Sequence, residues 1–213
     1  MKLIELIKAK DLRVYTKNSE GSSTVIVRTE AIIPACDLDI LAEMYIDLDI
    51  RRQWDSTFIK LERPQVISEN EDIIYQEMKL PFPLSNRDFV LQRFYADSLL
   101  DADKIAEKGF WKKSNRYKVI ALKDAEHASY PEKKGTIRAS NSTVMVLEED
   151  PQGPGNVIYR LVSLADLKGK LPAWALHQGT SKGMAKLVEE TSQAYRKHSE
   201  EWKQKLASVA SLN

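Results

Sequence analysis

From residue 58 to 165 the chain is a succession of short apolar-polar runs, separated by Gly, Pro and Asn. Runs at about 58–68, 72–80, 86–96, 116–124, 135–148 and 156–165 carry the two-residue period of strands. Two more, over 12–15 and 24–33, flank the polar turn Lys17-Asn18-Ser19-Glu20-Gly21-Ser22. Asp150-Pro151-Gln152-Gly153-Pro154-Gly155-Asn156 reads as a tight hairpin turn. Successive strands joined by short loops predict an antiparallel sheet.

Helical spacing occurs at the two ends and once between them. Residues 2–10 are expected to form one or two helical turns. Asp37 is placed to cap a helix carrying Leu38, Leu41, Met44, Tyr45 and Leu48, and a second short helix is expected over Arg51-Arg52-Gln53-Trp54-Asp55. The longest element comes last. Pro172 suits a first helical turn, and Leu176, Thr180, Met184, Leu187, Val188, Thr191, Tyr195, Trp202 and Leu206 follow at steps of three and four. A helix from about 172 to 205 would span roughly 50 Å. Its apolar stripe needs one long partner, which only the sheet supplies.

At 213 residues a single domain covering 1–213 is expected, large enough to enclose a cavity. Lys and Arg number 32 against 31 acidic residues, so the chain lacks the basic field of a nucleic-acid binder. Cys36 is the only cysteine, which excludes an internal disulfide framework and suits a reducing compartment. Charges interrupt the first eight residues, unlike a signal peptide, and no apolar run approaches the roughly 20 residues of a membrane span. A soluble cytoplasmic monomer is expected. His127, His177 and His198 have no ligand spacing with Cys36, and no nucleophile or phosphate-loop motif is present. Neither catalysis, a metal nor a cofactor is therefore expected.

The residue most in need of explanation is Arg87, at the head of the apolar run Phe89-Val90-Leu91. A guanidinium entering a core requires a carboxylate or a ligand's polar head to compensate it. Strand alternation puts Arg87 on the face of Phe89 and Leu91. Glu77, on the preceding strand, is a candidate neighbour. The pair Arg87–Glu77, or Arg87–Asp88, can equally be read as an ion pair that only specifies the fold.

Four segments, in order, resemble the START (StAR-related lipid-transfer) domain family. They are Arg51-Arg52-Gln53-Trp54-Asp55; Pro81-Phe82-Pro83-Leu84-Ser85-Asn86-Arg87-Asp88-Phe89-Val90; His127-Ala128-Ser129-Tyr130-Pro131 running on to Arg138-Ala139; and Asp166-Leu167-Lys168-Gly169-Lys170-Leu171-Pro172-Ala173-Trp174. The resemblance spans about residues 10 to 200. It implies an α+β helix-grip fold: a curved antiparallel sheet wrapped around a C-terminal lid helix, enclosing a hydrophobic tunnel for one lipid. The segment before the first strand is short, so the family's long N-terminal helix is expected to be reduced or absent.

The resemblance further implies that Arg87 and Glu77 form a polar station for the lipid, as in sterol-binding relatives. Tyr75, Phe89, Tyr117, Tyr130 and Tyr159 become candidate cavity or headgroup contacts. Trp174, Leu176, Thr180, Met184, Leu187 and Val188 fall on the lid. Choline-binding relatives use an aromatic cage partly built on the strand before the 166–169 turn. Here Leu161-Val162-Ser163-Leu164-Ala165 offers no aromatic, so no cage is evident. Cargo of the sterol or phospholipid class is expected, with transient membrane contact through Phe110, Trp111, Lys112 and Lys113. Trp54, His127 and Arg138 are expected to be structural. A lipid sensor, an interaction module or a helix-grip enzyme are the competing functions.

Overall fold

A computed structural model describes residues 4–9, 11–18, 23–80, 82–110, 115–169, 171–172 and 182–210. Strands β1 (Ile4–Ala9), β2 (Leu12–Asn18) and β3 (Thr24–Ile33) lead into helices α1 (Leu38–Ile46) and α2 (Leu48–Arg51). Then follow β4 (Phe58–Ser68), β5 (Glu71–Met78), β6 (Asn86–Asp97), α3 (Ala102–Glu107), β7 (Tyr117–Asp124), β8 (Thr136–Arg138), β9 (Ser140–Glu149), β10 (Val157–Asp166) and α4 (Gly183–Ala210). The sheet runs β1-β2-β3-β10-β9-β7-β6-β5-β4, antiparallel throughout, with β8 added parallel to β6.

Asp37 caps α1, its Oδ1 accepting from the amides of Asp39 (2.8 Å) and Ile40 (3.1 Å). Asp47 caps α2 in the same way, accepting from Asp49 (2.7 Å) and Ile50 (3.1 Å). The second helix therefore starts earlier than the expected 51–55, because Asp47 supplies the cap. Residues 4–9 are a strand rather than helical turns. They pair with β2 from Ile4↔Thr16 to Ala9↔Leu12, and the hydrogen-bonding edge of β2 overrides a weak local helical period. The run expected at 135–148 divides into β8 and β9, since Ala139 donates its amide to Asp88 O (2.9 Å) and ends the parallel pairing with β6.

One face of the sheet is concave and holds α1, α2 and α4. Leu41, Met44 and Tyr45 of α1 pack there with Ile33, Leu147, Tyr159 and, from α4, Val188, Tyr195 and Trp202. Polar bonds fix α4 on α1. Tyr45 Oη lies 2.7 Å from Thr191 Oγ1, Asp37 N donates to Tyr195 Oη (2.8 Å), and Lys205 Nζ to Asp47 Oδ2 (3.0 Å). Trp202, 1% exposed, donates Nε1 to Gln53 Oε1 (3.3 Å). Trp54 donates its indole N–H to Met44 O (3.2 Å), the structural part expected of it. On the convex face, α3 covers Phe94, Ala96, Tyr117 and Val119, while a loop over 125–135 covers Ile73, Tyr75 and Val90.

Candidate functional site

Strand register decides which side chains can meet anything on the concave face. Ile74↔Leu91, Gln76↔Phe89 and Met78↔Arg87 pair across β5 and β6, and Ile74, Phe89 and Leu91 pack against Leu48 of α2. These positions are therefore concave. The alternate pairs, Tyr75↔Val90 and Glu77↔Asp88, are convex. Arg87 and Glu77 thus lie on opposite faces, and the expected station between them does not form. An offset of one residue suffices, because the side-chain period of a strand is two.

Tyr75, Tyr117 and Tyr130, expected at the cavity, are on the convex side as well. The rings of Tyr75 and Tyr130 stack with centroids 4.3 Å apart. Tyr75 Oη is 3.2 Å from both Glu77 Oε2 and Asp88 Oδ2, and Lys133 Nζ is 2.7 Å from Glu77 Oε2. Burial opposes ionisation of Glu77, yet bonds from Lys133 and Asn86 hold its carboxyl below the ordinary range. The hydrogen bond from Tyr130 to Glu62 pushes the Tyr130 phenol up to about 12. Arg138 grips Asp88 through two bonds (3.0 and 3.1 Å) and the carbonyl of Tyr130 (2.9 Å), while His127 Nδ1 accepts from Ser129 N (3.2 Å). This cluster fastens the 125–135 loop to the back of the sheet.

Arg87 is 2% exposed, and backbone carbonyls surround it. Nε donates to Leu167 O (2.6 Å), Nη1 to Ser85 O (2.5 Å) and Nη2 to Lys168 O (3.1 Å). Among the described residues no carboxylate pairs with it, and burial lowers its pKa. Lys168 (φ 54°) and Gly169 (φ 73°) turn the chain left-handed at this point. Asp166 closes the turn by accepting from Ser23 Oγ (2.5 Å), Lys168 N (2.9 Å) and Lys168 Nζ (2.7 Å). Arg87 therefore ties β6 to the chain that leads into α4.

Other charges face the helices, and the sequence reading passed over them. Arg93 and Asp72, each 1% exposed, form a two-bonded pair (3.0 and 2.6 Å) facing α1, where Arg93 Nη1 also donates to Tyr45 O (3.1 Å). The signal was available: Arg93 has the same strand parity as Arg87, inside the same apolar run. Arg51 is different. Its Nε donates to the buried Asp55 (Oδ2, 3.0 Å), and its guanidinium carbon lies 5.1 Å from the Phe58 ring and 5.8 Å from that of Tyr45. Among the described residues its remaining N–H groups have no partner. Three further concave atoms are buried without one: Thr29 Oγ1, Gln76 Nε2 and Tyr159 Oη. Burial raises the Tyr159 phenol well above its ordinary value, so at neutral pH it is a hydrogen-bond donor.

Of the other expected site residues, Phe89 and Tyr159 are concave, Val188 is buried, and Met184 and Leu187 are partly buried against the core. Trp174, Leu176 and Thr180 lie outside the described residues, as do Trp111, Lys112 and Lys113. Phe110 packs into the convex cluster, its ring parallel to Phe94 with centroids 6.5 Å apart, instead of reaching outward. No group of described His, Cys, Asp and Glu residues is arranged to hold a metal ion. No described helix is long and apolar enough to cross a membrane.

An antiparallel sheet curved around a C-terminal helix, with polar atoms left over on its apolar inner face, is a helix-grip architecture. The START domain profile matches residues 3–201, and the chain belongs to that family. It is 25% identical over 189 residues to phosphatidylcholine transfer protein of Mus musculus, covering 89% of this chain and 81% of that protein. It is 27% identical over 172 residues to human START domain-containing protein 10, covering 80% of this chain and 53% of that one. Among solved structures, human STARD10 superposes with a TM-score of 0.76 at 21% identity, over 95% of this chain and 76% of that one. Human StAR-related lipid transfer protein 5 gives 0.73 at 17%, over 92% and 86%.

Proposed function

We propose that this START domain takes up one phospholipid between the concave face and α4, and carries it between membranes as a cytoplasmic monomer. The observation that carries the proposal is Arg51. Asp55 holds its Nε, Phe58 and Tyr45 flank its plane, and the other N–H groups are left for an external acceptor. A guanidinium fixed in that way matches the paired oxygens of a phosphodiester. The Tyr159 phenol, beside the Tyr45 ring and held neutral by burial, is a second donor on the same face. A sterol offers no anion for Arg51. Similarity to phosphatidylcholine transfer protein supports the phospholipid class.

Moving acyl chains from a bilayer to an apolar cavity exchanges like for like, at about 0.8 kcal/mol per CH₂ on either side. The polar contacts therefore set net affinity. Arg87, whose bonds go to carbonyls, holds the turn ahead of the lid in this scheme and does not grasp cargo. The Trp111-Lys112-Lys113 sequence has the chemistry of a contact with an anionic bilayer surface.

The test is phospholipid uptake from vesicles, measured by mass spectrometry of the recovered protein. Arg51→Met should reduce uptake at least about tenfold, with Arg51→Lys intermediate. Because Arg51→Met leaves Asp55 without its partner, Arg51→Met/Asp55→Asn serves as the folded control, checked by circular dichroism. Uptake at the parent level in that double variant would remove Arg51 from the site.

A further inference from the structure

Gln76 is used neither by the fold nor by the Arg51 contact. It is 2% exposed and projects from the concave face of β5, opposite Leu61 on one side and Phe89 on the other. Its Nε2 is buried with no acceptor, and its Oε1, which is not fully enclosed, accepts no hydrogen bond among the described residues. A buried amide left in that condition destabilises the empty protein unless something else satisfies it. Its position says what that something is. Met78, two residues along the same face, has Phe58 as its cross-strand neighbour, and Phe58 lies beneath the Arg51 guanidinium. An unpaired donor and acceptor thus stand on the sheet beside the place where Arg51 would hold a phosphate.

Resting on the phospholipid reading above, we propose that Gln76 selects the headgroup. It favours one that gives and takes hydrogen bonds, through a primary ammonium or hydroxyls, over a trimethylammonium. A quaternary ammonium has no N–H to donate and no lone pair to accept, so beside Gln76 it leaves both ends of the amide unsatisfied. Aromatic faces are what hold such a cation. Tyr75 and Tyr130 are turned to the convex side and stacked on each other, and the Phe58 and Tyr45 rings are already taken by the Arg51 guanidinium. A half-turn of the amide exchanges Oε1 and Nε2, so the site accommodates either sense of hydrogen bond.

The experiment offers the full chain vesicles holding equal amounts of choline, ethanolamine, serine and inositol phospholipids with matched acyl chains, and identifies bound lipid by mass spectrometry. The choline lipid should be about tenfold under-represented relative to the preferred headgroup, the scale of leaving a buried amide unpaired. Gln76→Leu, close in volume, should bring the choline lipid to parity by lowering uptake of the ammonium and hydroxyl headgroups towards that of choline. It should also raise the Tm of the lipid-free protein, because an orphan amide has been removed. Parity in the parent protein, an unchanged preference in Gln76→Leu, or a lowered lipid-free Tm would each overturn the assignment. A chain that takes up no phospholipid of any headgroup fails at the earlier step, and Gln76 as a headgroup selector falls with it.

Discussion

Three concave arginines show that the same side chain does different work according to what saturates it. Arg93 is met by a carboxylate and a carbonyl, Arg87 by three carbonyls, and Arg51 by one carboxylate oxygen at one of its nitrogens. Only in the last do both Nη nitrogens lack a partner among the described residues. Arg87→Lys keeps the charge but cannot span the carbonyls of Ser85, Leu167 and Lys168 together. It should destabilise the protein by about 2–3 kcal/mol, read from urea unfolding, while phospholipid uptake per folded chain stays near the parent level. Full stability with lost uptake would instead return Arg87 to the role first read from the sequence, a contact with the lipid.

At the level of elements, the turn over 166–169 joins β10 to the chain entering α4, and an acid holds it. Burial raises the Asp166 carboxyl, but the bonds from the Lys168 side chain, Ser23 and the Lys168 amide together outweigh it and bring the group down to about 2. A folded-state value below the unfolded one means that the ionised form is bound more favourably in the fold. The resulting stability is complete above about pH 4 and is lost as pH falls towards 2. Asp166→Asn should therefore flatten the dependence of Tm on pH between about 4 and 2, and leave a smaller, pH-independent loss above it. A slope unchanged by the substitution would show that other carboxylates govern this range.

For the whole molecule, the interface of α1 with α4 determines how tightly the sheet is closed at its helical side. Cys36 reports on it. The thiol is buried beside the α1 N-terminus near Tyr195, and burial pushes its pKa up to about 12. At pH 8 its thiolate population should be on the order of 10³-fold below that of a free cysteine, so a thiol reagent should label it only as fast as α4 parts from α1. Labelling at the rate of a small thiol would mean that the two helices separate freely in the native state.

The sequence alone determined the order and kind of most elements, since a period of two or of about 3.6 is local and survives in any context. Asp37 as a cap, the strand over 24–33 and the structural part of Trp54 were legible for the same reason: each depends on nearby chain. Family membership was legible from four motifs in order. Which side chains of neighbouring strands share a face was not. Glu77, Tyr75 and Tyr130 read as partners of Arg87 or of a cavity until the β5–β6 register placed them behind the sheet. Residues 4–9 read as helix until an edge strand was there to pair with them. Arg51, Arg93 and Gln76 acquire their meaning from what lies opposite them across space, and only the curvature and register of the assembled sheet bring those neighbours together.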